Sequence, residues 1–146
     1  MLGIVLEHPV RVALAKPTAA AKIVKDGGTI VCAAECRDGF PGHGRFRELL
    51  GSRETPAELI ESITTSPRTI PDQWQVQVQA NIQSRATVHL YTDHLTDDEV
   101  REAHLEPTHD IAATVRDALD RAGPASTVCV LPEGPQTIPI LASETI

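Results

Sequence analysis

The sequence predicts an α/β fold, a three-layer α/β/α arrangement with a mostly parallel, Rossmann-like sheet in a single domain. Short runs of apolar and β-branched residues alternate with segments that carry helix start and stop signals. Strands that alternate with helices join into a parallel sheet whose faces the helices cover. The length of 146 residues and the hydrophobic content of 41% suit one domain, here residues 1–146, with its own core.

Four runs are predicted to be strands. They span Gly3–Leu6, Thr29–Ala34, Thr87–Tyr91 and Thr127–Leu131. Each run is nearly all apolar or β-branched, which is the pattern of a strand buried on both faces. We therefore expect helices on both sides of the sheet.

The helix starts are marked by capping residues. Thr55–Glu58 and Thr96–Glu99 are capping boxes, in which a threonine is followed three residues later by a glutamate. A third helix is predicted from Asp110 to a stop at Gly123. Its apolar face holds Ile111, Val115, Leu119 and Ala122.

Three more helices are predicted from weaker signals. One follows Pro17 and runs towards a stop at Gly27, and another lies near Arg45–Leu50. The segment Asp72–Arg85 fits both the strand period and the helix period. We predict a helix there, because Asp72 and Gln75 form a further capping pair.

The charge and composition exclude several classes of protein. A formal net charge of -7 and a pI near 5.3 argue against nucleic acid as a partner. No apolar run approaches the ~18 residues of a membrane span, so we expect no membrane partner and a cytoplasmic location. Cys32, Cys36 and Cys129 lack a metal-binding or disulfide spacing, which predicts reduced structural thiols.

The most glycine-rich segment is the loop Glu35–Gly44, which follows the second predicted strand. Ligands of open α/β sheets bind beyond the carboxyl ends of strands, and glycines let backbone N–H groups approach an anion. The residues of this candidate anion-binding loop are Glu35, Gly39, Gly42 and Gly44. The loop matches neither the dinucleotide-binding nor the P-loop motif, and the alternative is a flexible surface loop.

The six histidines carry no metal signature. They are His8, His43, His89, His94, His104 and His109. Their spacing does not place two imidazoles on one face of a helix, so we interpret them as scattered surface residues. No serine or cysteine lies in a nucleophile elbow either. The sequence therefore predicts no metal ligand and no catalytic residue in this chain.

Trp74 is the single tryptophan of the chain and lies at the start of the ambiguous segment. Such a residue packs against a core more often than it contacts a ligand. However, its neighbours Gln73, Gln75, Gln77 and Gln79 suggest a solvated or hydrogen-bonding surface. Two interpretations stay open for Trp74, a core residue or a half-exposed wall of a pocket.

Three stretches together resemble the C-terminal domain of the nickel-dependent lactate racemase family, a family of 2-hydroxyacid racemases and epimerases. They are KIVKDGGTIVCAAECRDGFPGHGRFRELL, PDQWQVQ with the strand TVHLY after it, and AGPASTVCVLPEGPQTIPIL. Their order also matches, and the resemblance extends from about Ala19 to Leu141.

The resemblance implies an enzyme of two α/β domains around a cleft. A nickel pincer nucleotide derived from niacin is then held mainly by the N-terminal domain, together with the lysine and histidines that bind it and move protons. None of those residues maps onto this chain, so we expect it to bind no cofactor alone. The implied partners are an N-terminal lactate racemase-like domain or subunit and a small 2-hydroxy acid.

Two residues are substrate-binding candidates through the resemblance. Trp74 matches a family tryptophan at the cleft, where it would exclude water and orient the substrate. Lys16 would bind the substrate carboxylate, although Ala13 stands where the family has a glutamine and Pro17 departs from the pattern. The expected function is one wall of a racemase or epimerase site that is inactive alone. The alternative is a non-catalytic module that keeps the fold and binds a small anion or another protein.

Overall fold

The described part of the chain, residues 2–6, 18–42 and 44–132 of a computed structural model, contains one five-stranded sheet. The strands are β1 (Leu2–Leu6), β2 (Gly28–Ala33), β3 (Ala86–Tyr91), β4 (Glu106–Pro107) and β5 (Val128–Leu131). Their order across the sheet is β4-β3-β2-β1-β5, and every neighbouring pair is parallel. The predicted α/β class with a mostly parallel sheet is thus confirmed.

The four predicted strands are present within one residue of their expected bounds. The edge strand β4 was not predicted, because two residues are too short to show a hydrophobic period. It pairs with β3 through His89 and Leu90. Only its tertiary position beside β3 identifies it as a strand.

Six helices accompany these strands in the described ranges. They are α1 (Thr18–Ala21), α2 (Phe46–Leu50), α3 (Pro56–Thr64), α4 (Gln73–Gln83), α5 (Asp97–Glu102) and α6 (Ile111–Ala122). The helix chosen for the ambiguous segment is α4. Helix α1 is shorter than predicted: it ends before the β-branched pair Ile23–Val24, whose stiff side chains disfavour helix.

The predicted caps of α3, α5 and α6 are confirmed. Both capping boxes are complete, with the Thr55 and Thr96 hydroxyls accepting from the N–H groups of the glutamates three residues later. At α6, the Asp110 carboxylate accepts the Ala113 N–H at 2.9 Å. These side chains bond to N–H groups that the first turn of a helix cannot pair internally.

We expect Thr55→Ala to lower the free energy of unfolding by about 1 kcal/mol, because it removes the hydroxyl that caps α3. Urea unfolding followed by circular dichroism measures this difference. Thr69→Ala is the matched control, because Thr69 is exposed and lies outside the helices. Equal stability of the two variants would contradict the cap's contribution.

Helices cover the sheet on both faces, which gives the three predicted layers. On one face, Ile30 and Cys32 of β2 join a large core with residues from α1 to α5. Val31, which points to the opposite face, packs under α6 with Ala118, Ile111, Val115 and Leu119. The alternation of side chains along β2 therefore divides the interior into two cores.

The expectation that the strands are buried on both faces is wrong for β5 and for one face of β3, on which Thr87 is exposed. Val128 and Val130 are 41% and 51% exposed, whereas Leu131 packs in the large core. The physical reason is that α6 lies over β2 and β1, away from the β5 edge. No helix among the described residues is long and apolar enough to span a membrane.

Candidate site at the carboxyl edge of the sheet

The strand order places a topological switch point at β1. The chain passes outward from β1 through β2 and β3 to β4 and then returns through α6 to β5, on the other side of β1. In such sheets, ligands bind outside the carboxyl ends of the strands that flank the switch. The segment 7–17, which contains Lys16, follows β1 and lies outside the described residues.

Trp74 and the glycine-rich loop lie at this same edge. The loop follows the carboxyl end of β2 directly. Only Ser84–Arg85 separate the end of α4 from the start of β3, so α4 runs back along the sheet and begins at the carboxyl edge. Trp74 is the second residue of α4. Two of the features singled out in the sequence are thus brought to one edge by the fold.

The first residues of the loop are held in place by β3 and the segment after it. The Glu35 carbonyl accepts the Thr92 hydroxyl at 3.1 Å, and its distance to His94 Nδ1 is 2.8 Å. The Glu35 carboxylate pairs with Arg37 at 2.7 Å. These contacts argue against a flexible loop at this point, and they leave the Glu35 carboxylate neutralised by a neighbour.

The glycines of the loop differ in their backbone conformation and in the space around them. Gly39 and Gly44 have φ values of 70° and 73°, in the left-handed region, whereas Gly42 has no positive φ. At Gly44 an added Cβ would overlap the Asp72 carboxylate, and that carboxylate accepts the Arg45 N–H at 2.7 Å. An anion-binding role for the loop stays a prediction, and the Asp72 charge argues against it at Gly44.

The Trp74 side chain is 66% exposed, so the interpretation as a core residue is wrong. Val78, one turn later on the same face, is 36% exposed. The opposite face of α4 is buried, with Val76 and Ala80 at 0% exposure. Tryptophan is enriched at interfaces, so the exposed Trp74 face of α4 is a candidate binding surface.

Two of the four glutamines around Trp74 are buried and hydrogen-bonded, so the expected solvated surface is wrong for them and the hydrogen-bonding alternative holds. Gln73 accepts the Ile70 N–H at 2.7 Å and donates to the Ile63 carbonyl at 3.3 Å. Gln79, at 0% exposure, donates to the Ala103 carbonyl at 2.8 Å. A glutamine in a sequence does not indicate which way its side chain points, so only the packing of α4 decides this.

The predicted capping pair of Asp72 and Gln75 is wrong. Asp72 occupies the N-cap position of α4, but its side chain makes no cap hydrogen bond. Its φ of 66° is left-handed, unlike the extended backbone that a capping side chain needs. The carboxylate instead contacts the start of α2 through Arg45.

A shallow groove of about 480 Å³ lies beside the loop, lined by Gly42, Gly44, Arg47 and Glu102 among others. The Arg47 guanidinium donates to both oxygens of Glu102, at 2.9 and 2.6 Å, and lies over the Phe40 ring. A substrate carboxylate would have to break this bidentate pair to reach the guanidinium. The groove is thus poorly suited to bind a 2-hydroxy acid.

The described residues contain no group of three His, Cys, Asp or Glu side chains that could hold a metal ion. Several histidines have structural contacts instead. His94 Nδ1 contacts the Glu35 carbonyl, and His104 Nε2 lies 3.0 Å from the Leu50 carbonyl. His109 is exposed beside Asp97. The donor set of this part of the chain does not fit a nickel site.

His89 predicts a pH dependence of stability. Burial lowers its pKa, the Arg121 charge lowers it further and the Glu106 charge opposes the shift. Its Nε2 has no hydrogen-bond partner among the described residues. Because the folded pKa lies below the unfolded value of about 6.5, the unfolded chain binds the proton more tightly. The free energy of unfolding should therefore be highest above that pH and decrease as the pH falls below it.

Urea unfolding at about pH 7.5 and about pH 5.5 tests this expectation on both sides of the unfolded pKa. We expect the loss of stability at the lower pH to be smaller for His89→Gln than for the unaltered chain. His109→Gln, at an exposed imidazole, is the control. An equal loss in the unaltered chain and in His89→Gln would contradict the prediction.

Comparisons with known proteins show the family of this chain. The family model described as "Lactate racemase C-terminal domain" matches residues 3–138. This chain belongs to that family. It is 34% identical over 134 residues to the lactate racemase of Lactiplantibacillus plantarum, covering 90% of the chain and 31% of that protein. It is 32% identical over 123 residues to the lactate racemase of Thermoanaerobacterium thermosaccharolyticum, covering 83% and 29%.

A solved structure of this lactate racemase domain family shows the same fold. The lactate racemase apoprotein from Thermoanaerobacterium thermosaccharolyticum superposes with a TM-score of 0.81 at 26% identity, covering 94% of this chain and 34% of that one. The chain therefore spans about a third of the length of the lactate racemases it matches.

Proposed function

We propose that this chain forms one wall of a 2-hydroxy acid racemase or epimerase site and that an N-terminal domain or subunit supplies the rest. The observation that carries the proposal is the exposed Trp74, placed at the carboxyl edge by α4 in a lactate racemase C-terminal domain. Covering an exposed indole removes apolar surface from water, which is favourable. A partner across the cleft would cover it.

Trp74 has an orienting role in this proposal. Its flat apolar side chain excludes water from the reacting carbon and limits the poses of a small substrate. Lys16, which follows β1 at the switch point, supplies a cation for the substrate carboxylate. Because Arg47 is paired with Glu102, a cation from another segment is needed for this task.

The cofactor belongs to the other half of the proposed enzyme. The chemistry that the nickel pincer nucleotide of the family would supply there is hydride exchange at the substrate C2. The described residues lack a fitting ligand set, so the proposal assigns this chain no step at the cofactor. The chain alone is then expected to be inactive. Its cytoplasmic location stays a prediction.

A domain replacement tests the proposal. In the lactate racemase of Lactiplantibacillus plantarum, the region matched by this chain is exchanged for residues 1–146, and the chimera is produced in that organism after removal of its own racemase gene. We expect the chimera to interconvert D- and L-lactate, whereas the purified 146-residue chain does not.

Two outcomes would contradict the proposal. One is turnover of lactate or another 2-hydroxy acid by the purified chain alone, which would show that no partner is needed. The other is a folded chimera without any 2-hydroxy acid racemase activity. If calorimetry then showed a small anion binding to the isolated chain, the non-catalytic alternative would be favoured.

A further inference from the structure

Asp72 and the glycine-rich loop are in direct contact across a large separation in sequence. Asp72 Oδ2 accepts the Arg45 N–H at 2.7 Å, and the two residues are 27 positions apart. Arg45 is the N-cap residue of α2, so the Asp72 carboxylate accepts the backbone N–H that the N3 side chain of a capping box would otherwise bond. One side chain therefore joins the starts of α2 and α4.

Gly44 provides the space for this contact. Its φ of 73° is left-handed, and any Cβ there would overlap Asp72 Oδ2. A glycine is thus required for two reasons, the backbone conformation and the approach of the carboxylate. Asp72 itself has a φ of 66°, a conformation that aspartate and asparagine tolerate better than most residues. Both sides of the contact have residue types suited to it.

The contact is made by Asp72, two residues before Trp74. Asp72 bonds to the start of α2, and Gln73 bonds to the Ile70 N–H and the Ile63 carbonyl. The two residues that precede the indole are therefore anchored to different segments, whereas the indole itself is exposed. With its own side chain largely unpacked, Trp74 depends on this turn for the direction in which it leaves the helix.

We propose that Asp72 is a positioning residue that holds the first turn of α4 against the loop at Gly44 and so fixes Trp74 at the cleft. This inference rests on the proposed function for its catalytic consequence. Its structural part, that the Asp72 carboxylate restrains Trp74, stands on the contacts alone. A displacement of about 1 Å at a positioning group can cost about 100-fold in rate, so loss of the contact should affect turnover.

Three variants distinguish the effect of the Asp72 carboxylate from the effect of the backbone conformation. Asp72→Gly removes the acceptor and relieves the left-handed φ, Asp72→Asn keeps an acceptor oxygen and tolerates that φ, and Gly44→Ala displaces the carboxylate from the other side. Asp26→Gly is the control, because Asp26 is an exposed aspartate in the turn before β2, at the opposite edge of the sheet.

The single tryptophan allows a direct measurement on the full 146-residue chain. Nuclear magnetic relaxation of the Trp74 N–H groups reports their order parameter, which is about 0.85 for a rigid backbone and below about 0.6 for a flexible one. We expect a value near the rigid limit in the unaltered chain, Asp72→Asn and Asp26→Gly. In Asp72→Gly and Gly44→Ala it should fall towards the flexible limit.

The chimera with the Lactiplantibacillus plantarum racemase gives the catalytic measurement. There, Asp72→Gly should lower kcat by about tenfold with a smaller change in KM. Asp72→Asn should keep most of the kcat of the unaltered chimera. An order parameter of Trp74 that is unchanged in Asp72→Gly, at equal or lower thermal stability, would overturn the inference. An inactive chimera with the unaltered sequence would contradict only the proposed function, since relaxation is measured on the chain alone.

Discussion

Trp74→Ala should lower kcat/KM of the racemase chimera by about 100-fold, the scale of effect expected when a group that orients the substrate is lost. Removal of the indole opens the proposed cleft to water and leaves the substrate less restrained. The same change should alter the free energy of unfolding by no more than about 0.5 kcal/mol, because a surface substitution removes few packed contacts. Trp74 is 66% exposed, which places it in that class.

The activity is measured as D- and L-lactate interconversion, and the stability by urea unfolding of the chain alone. Trp74→Phe is the informative companion, because a smaller aromatic ring keeps part of the apolar wall and should recover part of the activity. Val128→Ala is the control, since Val128 is an exposed apolar residue at the start of the edge strand β5, away from the carboxyl edge of the sheet. Activity of Trp74→Ala within twofold of the unaltered chimera would count heavily against the role proposed for the indole.

Leu50→Ala should lower the free energy of unfolding by about 2–5 kcal/mol, the range for a fully buried leucine that leaves a cavity. Leu50 is 0% exposed at the end of α2 and belongs to the large core. Its carbonyl also contacts His104 Nε2 at 3.0 Å, before β4. Loss of the side chain therefore weakens the packing of α2, the helix whose start the Asp72 carboxylate contacts.

The neighbouring leucine provides the matched control. Leu49 lies on the same helix and is only partly buried at the edge of the core, so Leu49→Ala should cost clearly less. Both free energies come from urea unfolding followed by circular dichroism. A loss below about 1 kcal/mol for Leu50→Ala would show that the packing around α2 adjusts to the cavity, contrary to our expectation.

Much of the fold could be predicted because its signals are local. The Thr55 and Thr96 boxes lie within four residues, and the strands around Ile30 and Val88 are short runs of mostly apolar or β-branched residues. Such signals act through the backbone of their own segment, so no knowledge of the rest of the chain is needed. The α/β class follows from their alternation.

The candidate site was predicted only in part. The resemblance singled out Trp74, but the sequence left open whether its side chain faces the core or the solvent. Asp72 was noticed as a capping residue of its own helix, whereas it bonds to Arg45 at the start of another. Gln73 lies in the stretch DQWQ that carries part of the resemblance, yet its two hydrogen bonds to the segment 63–70 were not foreseen.

The sequence by itself determined the element types, most of their bounds and, through its motifs, the family. The tertiary structure alone decided that β4 completes an edge of the sheet, that α6 leaves Val130 exposed, and that the Asp72 carboxylate lies against Gly44, two residues before Trp74. The physical reason is range: propensity, capping and periodicity act over a few residues, whereas these contacts join positions that only the packed chain brings together.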